Sequence, residues 1–191
     1  MKKFLLAFFA LSGAVFSSYA QYHDASPKIS AGVCVGATVG PAINYYPTVR
    51  GASLKLAVPI SASPFSLTLT TGYTQFISKK GFVAEVNSDG SATASRYYAN
   101  FVPLQIGVRD YVYNRLFFEG NIGASFNVNP NHRRYSDAQV ATVFATNLGY
   151  SIPLGSHDNY AVDLSVGYEN RIQYAGGYSQ IGFKAAFSFG L

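Results

Sequence analysis

The residue types best suited to chemistry gather in one place: His132 stands beside Arg133 and Arg134, with Ser136 and Asp137 just beyond. A serine activated by a histidine and oriented by an acid is what an acyl hydrolase needs. A lipid substrate would also need an apolar groove, and this stretch, which follows Asn129-Pro130-Asn131, is polar. It reads as a solvated loop. His157 falls in an expected periplasmic turn and His23 in the N-terminal tail, so neither can join it. The single cysteine, Cys34, can form neither an internal disulfide nor a cysteine-based zinc site. No Gly-rich phosphate loop follows a strand and opens a helix, which leaves nucleotide binding without support. No cofactor and no metal are expected, and the chain is read as a non-enzyme.

A second set of charged residues is spread along the chain: Lys55, Arg109, Glu119, Asp163, Glu169, Arg171 and Lys184. Each stands in a stretch where apolar and polar residues alternate, and each falls on the polar side. Alternation with a period of two is the strand signal. It recurs in eight segments, over 28–40, 51–60, 65–77, 98–111, 116–128, 140–153, 160–174 and 180–191. In the last, Ile181, Phe183, Ala185, Phe187, Phe189 and Leu191 oppose Gln180, Gly182, Lys184, Ala186, Ser188 and Gly190. Most segments are long enough for the roughly 9–11 residues a tilted strand needs to cross a bilayer. The connections alternate too. Short ones fall near 61–64, 112–115 and 154–159, and longer ones fill 41–50, 78–97 and 129–139.

The polar faces are poor in charge and rich in Gly, Ser, Ala, Asn and Thr, which suits the tight interior of an eight-stranded barrel. Tyr73, Tyr150, Tyr160, Tyr168, Tyr174, Phe187 and Phe189 fall on the apolar faces, many near strand ends where interfacial girdles form. The fold expected is all-β: an eight-stranded antiparallel up-and-down transmembrane β-barrel with its apolar faces outward. Charges inside such a barrel must be paired. If Gly176-Gly177 makes a two-residue turn, Glu169 lies opposite Lys184; a hairpin around Asn114 sets Arg109 opposite Glu119. Lys55, Asp163 and Arg171 could extend this into a salt-bridged plug. The alternative is that some of these groups reach water at the barrel mouths.

The chain opens with a pattern of export. Lys2 and Lys3 precede an apolar run from Phe4 to Phe16, and Ser18-Tyr19-Ala20 supplies a small-x-small cleavage signal. The expected organisation is a signal peptide over 1–20, a periplasmic tail over 21–27 and the barrel over 28–191. Loss of Lys2 and Lys3 with the leader takes the formal charge from +5 to +3. Without a clustered basic face, that is too weak to argue for nucleic acid.

The run Phe101-Val-Pro-Leu-Gln-Ile-Gly-Val-Arg109, then Tyr111, then Leu116-Phe-Phe-Glu-Gly-Asn-Ile-Gly-Ala-Ser-Phe126 resembles the central hairpin of PorT-like small outer-membrane β-barrel proteins. Over 28–191 the architecture also resembles OmpA/OmpX-type eight-stranded barrels. The chain departs from the usual barrel end, which closes on an aromatic residue, by ending on Leu191. The resemblance implies residence in a bacterial outer membrane more than any activity, since the family includes secretion-associated components. The expectation is a monomeric barrel with a filled polar lumen, acting in envelope structure or in surface and secretion-associated interactions. Its partners would be outer-membrane lipid and lipopolysaccharide, with a protein partner possible through the 78–97 and 129–139 loops. Lys79, Lys80, Arg96, Arg133 and Arg134, in or beside those loops, are candidate lipopolysaccharide contacts because guanidinium pairs with phosphate bidentately. Two rivals stand beside this expectation: a membrane-embedded lipid A-modifying enzyme, and a secreted soluble lipocalin-like barrel holding a small apolar ligand.

Overall fold

A ribbon with one apolar and one polar edge leaves backbone groups unpaired along its sides, and closing the sheet on itself removes them. The computed structural model of the chain is such a closure. It describes residues 26–60, 63–79, 83–86, 92–95, 97–113, 115–128, 140–155, 159–173 and 176–191. Eight long strands form the barrel: β1 (Lys28–Val39), β2 (Thr48–Pro59), β3 (Phe65–Ile77), β6 (Tyr98–Tyr113), β7 (Leu116–Asn127), β8 (Val140–Pro153), β9 (Tyr160–Gln173) and β10 (Gly176–Gly190). All neighbours are antiparallel, the order following the chain, and β10 pairs with β1 to close the ring. Both Lys28 and Gly190 lie at one end, together with the short connections 60–64, 114–115 and 154–159; this is the terminal end. The connections 40–47, 78–97 and 128–139 lie at the other, the loop end.

Orientation follows the alternation. Ile106 is 64% exposed on the outside while its neighbour Gln105 is 3% exposed within. Phe183, Val166 and Leu104 all point out, and Arg171 is wholly buried. The apolar faces therefore form the outer wall, as expected. In β6 the apolar outward row is bracketed by Asn100 and Asp110. Ten residues at ~3.3 Å rise and a tilt of ~40° span about 25 Å, the height of a barrel's apolar band.

Three features depart from the sequence pattern. First, β2 begins at Thr48 rather than at 51, because Val49 turns inward and is buried among aromatic rings. Second, the 78–97 loop carries a short hairpin, β4 (Val83–Val86) with β5 (Ala92–Ser95), whose four-residue strands are too short to register as a periodic run. Third, Gly176 and Gly177 lie inside β10. Gln173 pairs with Gly176, so the turn falls at 174–175, outside the described residues. Gly177 serves close approach: a Cβ there would lie 2.7 Å from the Arg171 carbonyl oxygen. That shift moves the register, and Glu169 faces Gln180 rather than Lys184.

Candidate functional site

The inward faces of β2, β6, β7 and β9 bring a first group of charges together toward the terminal end. Lys55 Nζ donates to both Glu119 oxygens at 2.6 and 2.7 Å. Arg109 Nε donates to Glu119 Oε2 at 2.8 Å, and its Nη1 donates to Asp163 Oδ2 at 2.7 Å. Asn121 Nδ2 gives Glu119 a further bond at 2.9 Å, and the Arg109 guanidinium lies 4.0 Å from the centre of the Phe117 ring. Lys55 to Glu119 and Arg109 to Asp163 each join strands three places apart around the ring, so these bonds cross the lumen. Glu119 is 1% exposed. A carboxylate so placed stays charged at tolerable cost only because two cations and an amide saturate its oxygens. Beside Arg109 and Asp163 at the terminal-end mouth, a recess of about 20 Å³ leaves space for about one water.

A second group lies toward the loop end. Arg171 pairs with Glu169 and donates to Ser125 Oγ at 3.0 Å and to Thr74 Oγ1 at 3.1 Å. Gln180 Nε2 donates to Glu169 Oε1 at 3.2 Å. Above Arg171 sit Phe76 and Phe101, with ring centres 5.2 and 5.4 Å from the guanidinium. Tyr178 closes the triangle, 5.0 Å from Phe76 and 5.4 Å from Phe101 between centroids. Tyr46, Val49 and Ala99 pack on these rings, and Phe76 and Phe101 are wholly buried. The loop end of the lumen is thus lidded by aromatics that a cation holds from below.

Six of the seven charges expected on the polar face meet as ion pairs, and Arg109 faces Glu119 in the expected register. Lys184 is the correction. Its register partners are Cys34 and Ser165, and it makes no ion pair with a described residue. Lys79 is described and exposed just past the end of β3. Lys80, Arg96, Arg133 and Arg134 lie outside the described residues, as do His132, Ser136, Asp137, His23, His157 and the leader. Among the described residues, no three His, Cys, Asp or Glu side chains gather as a metal site would require.

Two constellations escaped the sequence pattern. Phe76, Phe101 and Tyr178 share the parity of polar residues such as Thr74, Gln105 and Gln180, and that mismatch at the loop end of three strands was the available signal. On the outer wall, Arg50 Nε donates to Gln75 Oε1 at 2.8 Å, and Gln75 Nε2 donates to Asn100 Oδ1 at 2.9 Å. These three are register partners on adjacent strands β2, β3 and β6, at the loop-end edge of the apolar wall. Here polar residues occupy apolar parity.

Neither protein-family models nor curated proteins gave a match to the chain. Solved structures did. The Yersinia pestis outer membrane protein Ail, in a phospholipid bilayer nanodisc, superposes with a TM-score of 0.52 at 14% identity, over 87% of this chain and all of Ail. Ail in complex with the heparin analogue sucrose octasulfate gives the same values. Neisserial surface protein A matches with a TM-score of 0.50 at 11% identity, over 86% of this chain and 97% of the other. At such identities the likeness is one of fold: a small transmembrane β-barrel.

Proposed function

We propose that this chain is a small integral protein of a bacterial outer membrane whose work is done at its surface, with a lumen sealed to solutes. The observation that carries this is the pairing of two features in one barrel. The wall is a continuous apolar band, and the interior is crossed by ion pairs and lidded by Phe76, Phe101 and Tyr178. A general porin keeps an aqueous channel by using about 16 or more strands. With eight strands and bulky side chains meeting across the axis, this barrel has none to offer. The terminal end, whose connections are all short, faces the periplasm, and the loop end, which carries the three longer connections, faces outside, the usual arrangement of such barrels.

The surface that remains is lipid and loop. Lys79, and the loop residues Lys80, Arg96, Arg133 and Arg134, meet the phosphates of lipopolysaccharide; a protein partner would use the 78–97 and 129–139 loops. The PorT-like hairpin of 101–126 favours an envelope or secretion-associated role within that range. Removal of the leader at Ala20 and monomeric behaviour belong to the same reading.

Fractionation and lipid analysis test it together. The protein is expected in the outer-membrane fraction, with gel migration that changes on heating, and its deletion is expected to leave lipid A masses unaltered. Recovery without detergent would instead favour the lipocalin-like barrel. A lipid A mass shift on deletion would favour the enzyme.

A further inference from the structure

We infer that Arg50, held by Gln75 and Asn100, is a binding site on the outer wall for a phosphate group of lipopolysaccharide. The inference rests on the reading above that the loop end faces outward. Arg50 shares the outward parity of Leu54 and Val58 and is exposed. Its only bond to a described side chain uses Nε, and no described acid pairs with it. An arginine carries five N–H donors in a flat fork, so four remain on the two terminal nitrogens. That end-on pair is the geometry which meets a phosphate bidentately.

The support behind Arg50 is ordered. Asn100 accepts from Gln75, Gln75 accepts from Arg50, and all three are anchored in neighbouring strands of one rigid wall. A chain of amides running toward a guanidinium fixes the direction in which its free donors point. The level is also right. Asn100 marks the upper edge of the apolar row of β6, so Arg50 lies where hydrocarbon gives way to head groups, and a cation costs about 0–1 kcal/mol there against more at the midplane. Tyr73 below the ladder and Tyr98 above it are both exposed outward, as interfacial side chains are. Lys79, exposed just past the end of β3 and four residues beyond Gln75, supplies a second cation farther from the hydrocarbon. A lipid bearing phosphates on its head group and standing in the outer leaflet fits this wall.

The test uses the full barrel in detergent, titrated with diphosphoryl lipid A and read by native mass spectrometry. Arg50→Gln is expected to weaken binding about tenfold, the worth of one charge-assisted bond or more. Gln75→Leu retains the charge but frees its direction, and is expected to lose part of that affinity. Dephosphorylated lipid A is expected to bind both wild type and Arg50→Gln equally weakly. Equal affinity of wild type and Arg50→Gln for the diphosphoryl form overturns the site, as does displacement of lipid A by free inorganic phosphate or by phosphatidylglycerol at equal concentration. If Arg50→Gln does not fold, undiminished binding by Gln75→Leu and by Lys79→Gln together has the same force. Orientation is read separately, by labelling Tyr45→Cys in a Cys34→Ser background with an impermeant maleimide on intact cells. Labelling with unchanged affinity overturns the site alone; absence of labelling overturns the outward loop end, and the site with it.

Discussion

Glu119 holds the charged interior together at the level of single residues, because Lys55, Arg109 and Asn121 all end on its two oxygens. Removing one partner of a buried ion pair typically costs 3–5 kcal/mol, since the cation left behind stays desolvated. Glu119→Gln should therefore lower the detergent melting temperature well below that of Lys55→Met, which removes a partly exposed cation and leaves Arg109 on Glu119. Differential scanning fluorimetry with both variants checks the order. Arg171 works differently, joining Glu169 to the aromatic lid. Phe101→Ala should destabilise by about 3–5 kcal/mol through the cavity it leaves. It should also admit water to the loop end of the lumen, measurable as faster hydrogen exchange around Arg171, while bilayer conductance stays absent because Lys55–Glu119 and Arg109–Asp163 still cross the lumen. The members of the charged interior were legible from residue type and parity, because inward charges need company, but of the two pairings expected Arg109 with Glu119 forms and Glu169 with Lys184 does not. The lid was not legible, because Phe76 and Phe101 break the very parity by which faces are read.

At the scale of elements, the strands were legible wherever a run was long enough to show its period, and their ends were decided by contacts the pattern does not carry. The Asn114 hairpin illustrates the first: a short connection between two clear runs left one register, and Arg109 faces Glu119. The β9–β10 hairpin illustrates the second. Two adjacent glycines suggest a turn by composition, yet a Cβ at Gly177 would meet the Arg171 carbonyl across the pair, and the turn lies two residues earlier. With that shift, Lys184 loses Glu169 and faces Cys34 and Ser165. Gly177→Val should therefore force β9 and β10 apart at their loop ends and lower the melting temperature. A change at Gly155 acts through the backbone instead. Its φ of 108° is a conformation that side chains resist, and Gly155→Ala should cost about 1 kcal/mol or more without disturbing the barrel's register.

For the molecule as a whole, everything rests on an inverted barrel: Val33, Ile106 and Phe183 face outward around the ring while Glu119, Asp163 and Arg171 fill the middle. In water such a wall would expose large apolar side chains over its whole girth, far beyond the patches soluble monomers carry. In a bilayer it costs nothing, and the crossing ion pairs replace the apolar core that a soluble barrel would have. Spin labels at Val33→Cys, Ile106→Cys and Phe183→Cys, each in a Cys34→Ser background reconstituted into lipid vesicles, test this inversion most directly. All three labels should collide readily with dissolved oxygen and rarely with a water-soluble nickel chelate. Free access of the chelate to all three, or burial of the labels from both reagents, would contradict it.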